Sequence, residues 1–111
     1  MRISILTLFL TLSLASLQVQ AGGDLMAGKL KAAEICSACH GLDGNSENPI
    51  YPIIAGQHAS YLRQSLRDYK SGARQNAIMQ GFAGQLSDED IDNLSAYFAS
   101  QGGILYTLEV D

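Results

Sequence analysis

Cys36-Ser37-Ala38-Cys39-His40 brings the chain's two cysteines and one of its two histidines into five consecutive positions. Upstream, from Asp24 to Cys36, the residues Leu25, Gly28, Ala32 and Ile35 recur three and four apart, the spacing of one helical face. The cysteines therefore sit at the end of a predicted helix. Two thiols three positions apart, followed at once by an imidazole, match the Cys-x-x-Cys-His pattern of covalent haem attachment. The thiols can reach the two vinyl groups of one porphyrin, and the histidine is directed at the iron. Three other readings compete. A dithiol redox motif belongs in a βαβ setting, and no strand pattern is present. A zinc site needs a fourth ligand, for which His58 is the remaining candidate. A plain disulfide leaves His40 without a role.

Working outward toward the N-terminus, residues 1 to 21 read as an export leader. Arg2 supplies the positive charge, Ile3 to Leu17 is an apolar run diluted by Ser and Thr, and Val19-Gln20-Ala21 places small residues at a cleavage site. A spanning helix needs about 20 predominantly apolar residues, so an uncleaved anchor is disfavoured and no membrane span is expected after cleavage. Residues 22 to 111 then form one domain with a core at about 24 to 102. That piece carries six basic and eleven acidic residues, a net charge of -5. Such a balance argues against nucleic acid as a partner. A domain of this size buries a modest core, which a large apolar cofactor would enlarge.

Toward the C-terminus, Gly41 to Gln57 shows no period and carries turn formers such as Asp43-Gly44-Asn45 and Asn48-Pro49, so it reads as a long loop wrapped around something. Leu62, Leu66 and Tyr69 mark a second helix stopped by Gly72, with Arg63, Arg67, Lys70 and Arg74 as a solvated basic face. Residues 73 to 85 read as irregular, with Met79 near the middle. Ser87 is a strong N-cap, followed by Asp88, Glu89 and Asp90 against the helix dipole and by Ile91, Leu94 and Phe98 on a buried face. Gly102-Gly103 is expected to end that helix. The segment from Ile104 to Asp111 alternates weakly. The fold class is all-α.

Haem iron used for electron transfer is commonly six-coordinate, and a Met thioether opposite His raises the reduction potential. Met26 lies on the helix leading into Cys36 and cannot easily reach the far side of a ring attached there. Met79 lies far along the chain and can fold over it, with gap-filling core as its plainer role. His58, just before a helix, is the rival ligand, for which a surface or capping role is expected.

Beyond the attachment motif, Pro52-Ile53-Ile54-Ala55-Gly56-Gln57, Tyr61-Leu62, Lys70-Ser71-Gly72 with Arg74, and Leu86-Ser87-Asp88-Glu89-Asp90-Ile91 leading to Ala96-Tyr97-Phe98 give the chain its likeness. From about Gly28 to Gln101 it resembles the class I cytochrome c family, in particular small monohaem c553 cytochromes and one half of the two-haem cytochromes c4. The resemblance implies a class I cytochrome c fold of three to five short helices around one covalent haem c. It implies thioethers at Cys36 and Cys39, iron ligation by His40 and Met79, and a haem environment that includes Pro52, Ile54, Tyr61 and Phe82. The Pro52 carbonyl would accept a hydrogen bond from His40, and Gly28 would meet Tyr97 where first and last helices cross. The segment after Gly103 extends past the usual end of the fold.

The function implied is that of a soluble periplasmic electron carrier, not an enzyme, passing single electrons between donor and acceptor proteins. A haem enzyme or gas sensor needs an open sixth position, against which Met79 speaks. A subunit of a larger oxidoreductase is the third reading. Docking is expected on the uncharged stretch from Ala77 to Gln85, which contains Phe82.

Overall fold

A computed structural model describes residues 22 to 105; the leader expected at 1 to 21 and the residues from 106 onward lie outside that range. Five helices follow in order: α1 (Leu25–Ile35), α2 (Ser37–His40), α3 (Ala59–Ser71), α4 (Ala77–Ala83) and α5 (Asp88–Ala99). No strand occurs among the described residues, and no helix there is long and apolar enough to cross a membrane.

α1 starts at Asp24, whose Oδ1 accepts from the amides of Met26 (2.8 Å) and Ala27 (3.0 Å). Those two amides are among the four that a helix start leaves without partners. α1 then crosses α5 so closely that a Cβ on Gly28 would lie 2.7 Å from Tyr97 Cβ and closer still to the Asn93 carbonyl oxygen. Glycine is the residue that permits this approach, which accounts for its presence in a helix interior where it costs about 1 kcal/mol of propensity. The backbone amide of Asp24 donates to Asn93 Oδ1 at 2.6 Å, tying the start of α1 to the same stretch of α5.

α5 opens with the expected cap in full form: Ser87 Oγ accepts from the Asp90 amide, and Asp90 Oδ2 accepts from the Ser87 amide, both at 3.0 Å. Its buried stripe, Ile91, Leu94, Tyr97 and Phe98, packs with Ala32, Leu62 and Leu86 into one cluster. The 41–57 loop is sewn to the far end of α5. Tyr97 Oη donates to the Leu42 carbonyl (2.8 Å), the Gly56 amide to the Phe98 carbonyl (2.9 Å) and Asn45 Nδ2 to the Gly102 carbonyl (2.7 Å). Gly44, at φ +83°, would bring a Cβ to 2.8 Å from the Phe98 ring, so the loop is pressed flat against the helix.

Three expectations need correction. Residues 77 to 83 form α4 instead of irregular chain; Asn76 caps it by accepting from the Met79 amide at 3.0 Å. The helix is short and holds Gly81, so it leaves almost no periodic signal. The α5 helix ends at Ser100, whose amide donates to Ala96 and Tyr97, and Gly102-Gly103 lies beyond the stop. The basic stripe of α3 is not simply solvated. Arg63 Nε donates to Asp92 Oδ1 (2.7 Å), Arg67 Nη2 lies 3.6 Å from the same oxygen, and Lys70 reaches the Leu86 carbonyl. Asp92 on α5 draws Arg63 and Arg67 inward, clamping α3 to α5, although such half-exposed pairs contribute about 0–1 kcal/mol each.

Candidate functional site

α1 ends at Cys36, and Ser37–His40 follow as a single further turn in which the His40 amide donates to the Cys36 carbonyl (3.0 Å). Gly41 then takes φ +78°, a left-handed conformation that stops the turn and sends the chain into the long loop. This geometry presents Cys36, Cys39 and His40 from one helix end. Both cysteines are half-buried free thiols. Before any haem is joined there, burial, with the neighbouring Cys39 adding to it, pushes the Cys36 thiol up to about 11.

His40 is buried, and its Nδ1 lies 2.9 Å from the Pro52 carbonyl oxygen. A carbonyl only accepts, so Nδ1 carries the proton and Nε2 keeps its lone pair free for a metal. The partner comes from the wrapped loop, which explains in one contact why that loop is long and why it is stitched to α5.

The loop, α3, α4 and α5 enclose a cleft with two lobes of about 250 and 200 Å³ that share Cys36, His40, Met79 and Phe82. The larger lobe is walled by Leu62, Leu66, Leu94 and Phe98, the smaller reaches Cys39 and Tyr51. If the larger lobe were closed and empty, the loss at about 24 cal/mol per Å³ would be at most about 6 kcal/mol. That is on the scale of the whole stability of a small domain, ~5–15 kcal/mol. The chain's own core is thin, with Ile91 and Leu94 the large apolar side chains fully buried among the described residues. A large, flat, apolar group filling the cleft would complete that core, and the donors around it suit a haem: two thiols for covalent links, an imidazole with Nε2 free and a thioether. Among the described residues no cluster of three or more His, Cys, Asp or Glu is placed to hold a metal by itself, and no strand occurs there to give a βαβ setting.

The structure brings Pro52, Ile54, Tyr61 and Phe82 to the larger lobe together with Met79. Met26 is 63% exposed on α1 and lines neither lobe. His58 is exposed at the N-cap of α3, makes no side-chain cap bond and also lies off the cleft. Sequence reasoning did not assign Tyr69, Leu66, Leu94, Ser95 and Phe98 to the site, yet they line it. Their signal was present as the apolar faces of α3 and α5, which serve as core and cleft wall at once.

The cytochrome c family model matches residues 25–102. Cytochrome c4 of Pseudomonas aeruginosa is 47% identical over 97 residues, covering 87% of this chain and 47% of that protein. Cytochrome c-554(548) of Halomonas halodenitrificans is 46% identical over 82 residues, covering 71% of this chain and 98% of that protein. The crystal structure of reduced recombinant cytochrome c4 from Pseudomonas stutzeri superposes with a TM-score of 0.68 at 43% identity, over 73% of this chain and 47% of that one. The chain belongs to the cytochrome c family. It spans about half the length of the cytochrome c4 relatives it matches. The attachment motif occurs once, at Cys36 to His40, and the cofactor is accordingly one covalent haem c with its iron.

Proposed function

We propose that the chain is a periplasmic electron carrier, with residues 1 to 21 as its export leader and 22 to 111 as the working domain. His40 and Met79 are its axial ligands, and Pro52, Ile54, Tyr61 and Phe82 form the haem surroundings. The observation that carries the reading is the pairing of a His40 ring whose Nδ1 is committed to Pro52 with a Met79 side chain lining the same cleft. The haem, when bound, supplies a one-electron couple, and a thioether ligand favours its reduced state. The chain's residues hold His40 in one tautomer, close the cleft with apolar walls and deny the metal an open site, which favours electron transfer over enzymatic chemistry.

Met79→Ala in the holoprotein should lower the reduction potential and admit carbon monoxide to the ferrous form, whereas Met26→Ala should do neither. Intact mass should show one haem retained after acid-acetone extraction on a chain beginning at Gly22. Loss of the haem on extraction, or carbon monoxide binding to the wild type as readily as to Met79→Ala, would defeat the proposal.

Redox partner proteins dock on the rim formed by α4. No charged residue lies between Ala77 and Gln85, and Ile78 and Phe82 are exposed there. A carrier needs a weak, quickly released interface. Phe82→Glu should slow transfer to a partner at both low and high salt; a rate that recovers fully at high salt would place the contact elsewhere.

A further inference from the structure

Between the end of α3 and the start of α5 the chain makes a closed excursion. It leaves α3 at Ser71, carries α4 with Met79 and Phe82 into the wall of the cleft, and returns at Leu86. From residue 71 to residue 85 only Ala83 is buried, so the excursion has little packing of its own. Its two ends are held by the last turn of α3. At the outgoing end Gly72 takes φ +85°, and the Arg74 amide donates to the Asp68 carbonyl at 3.0 Å, which sets Arg74 at the rim of the larger lobe. At the returning end Lys70 Nζ donates to the Leu86 carbonyl oxygen across the neck.

This is the one polar contact of the Lys70 side chain among the described residues. Arg63, Arg67 and Lys31 each face a carboxylate, but Lys70 meets none there, and its ammonium goes to a backbone oxygen 16 positions away. Leu86 is buried, and its carbonyl, just ahead of the Ser87 cap, has no backbone donor among the described residues. A buried carbonyl needs a donor, and a fully charged donor makes the stronger bond. The Leu86 amide donates in turn to the Ala83 carbonyl (3.1 Å), so the contact continues directly into the last residue of α4. Lys70 thus ties down the end of the helix that presents Met79.

We propose that Lys70 is a positioning residue for Met79, the latch that keeps α4 folded over the cleft. The inference rests on the His40–Met79 reading above. When α4 lifts, the Leu86 carbonyl leaves the ammonium. Removing the latch therefore enlarges the fraction of molecules with Met79 withdrawn, while His40, carried by α1 and α2, is untouched. A competing ligand that takes the place of Met79 has an apparent affinity scaled by that open fraction.

The test uses the ferric holoprotein with imidazole as the competing ligand, followed through the absorption band of the sulfur–iron bond. Lys70→Met keeps the apolar stem and drops the ammonium. It should bind imidazole roughly tenfold more tightly than wild type, the scale of one hydrogen bond to a charged group, and its α4 amides should exchange faster. Lys70→Arg, which restores a charged donor, should return most of the difference. Arg63→Met is the comparator: it breaks the tie from α3 to Asp92 on α5, should lower the denaturation midpoint and should leave the imidazole affinity at the wild-type value. A Lys70→Met protein with a lowered midpoint and wild-type imidazole affinity would show a plain α3–α5 clamp and overturn the proposal. So would equal tightening by Arg63→Met. Should Lys70→Met mature poorly, Lys70→Gln takes its place with the same order expected. Failure of the ligand reading itself is seen separately: the wild type would then lack the sulfur–iron band, and Met79→Ala would bind imidazole no more tightly than wild type.

Discussion

The two walls of the cleft are built to different standards. His40 is buried, its ring is bonded to a backbone carbonyl, and its one-turn helix continues α1, which is locked into α5 at Gly28. Met79 sits on seven residues of α4, of which Ala83 alone is buried, and that helix packs chiefly on α3. Gly81, inside it, has no atom beyond its chain neighbours and the helix's own backbone within 4 Å of where its Cβ would be, and Ile78 and Phe82 are exposed. The chain thus preforms the histidine wall from its own packing, while the methionine wall depends on what fills the cleft. Regions with few buried contacts open at lower free energy than the global unfolding.

The same substitution should have opposite signs on the two sides. Gly28→Ala gains about 1 kcal/mol of helix propensity but forces a methyl into the Asn93 backbone and Tyr97, an overpacking cost of about 3 kcal/mol. A net loss of about 2 kcal/mol is expected, read as a lower denaturation midpoint of the holoprotein. A neutral result would mean that the crossing can widen, and the contrast between the walls would weaken.

On the other side, Asn76→Ala removes the side chain that accepts from the Met79 amide and should cost about 1 kcal/mol, concentrated in α4. Gly81→Ala should return about 0.5–1 kcal/mol, because nothing stands in the way of the methyl. Amide hydrogen exchange resolves both: α4 should exchange faster in the first variant and more slowly in the second, with α1 and α5 unaltered. Equal changes in all helices would show that α4 opens only with the whole domain.

The difference between the walls also governs what could be read before folding. The histidine side was legible because its determinants are local: a five-residue motif, a stripe at helical spacing, and Ser87 with three acids at the head of α5. The helix that carries Met79 was not, although Met79 itself was singled out. It is two turns long with glycine inside, and the register of such a segment is set by its neighbours more than by its own pattern. The basic residues of α3 misled for a related reason. Their charges are visible in sequence, but Asp92 is 29 positions from Arg63 and only the packing of α3 on α5 brings them together. Arg74 looked like one more member of that stripe; its place in the cleft follows from the backbone turn after Gly72. The Pro52 contact to His40 was reached through family likeness, since nothing in a bare proline marks its carbonyl as an acceptor.

The smallest expected effect concerns pH, and it should narrow the gap between the walls. Hydrogen bonding from the Ser87 amide holds the Asp90 carboxyl below its ordinary value, with Lys31 at 3.7 Å assisting. In the unfolded chain that carboxyl titrates near its usual ~3.9. The folded state therefore holds the carboxylate more tightly than the unfolded one does. Its contribution is fully present above about pH 4 and is lost as pH falls through the lowered folded value. The capping box at the head of α5 should thus weaken in acid by an amount typical of a cap, roughly 0.5–1 kcal/mol. α4 has no carboxylate between Ala77 and Gln85 and should not respond directly. Between about pH 5 and pH 2 the first turn of α5 should lose exchange protection faster than α4 does, relative to their values at neutral pH. Asp90→Asn keeps an oxygen acceptor for the Ser87 amide but has no proton to take up. Its unfolding free energy should start slightly below wild type at neutral pH and converge with it at pH 2. Parallel curves for Asp90→Asn and wild type across that range would mean that the acid sensitivity of the α5 start lies in another group.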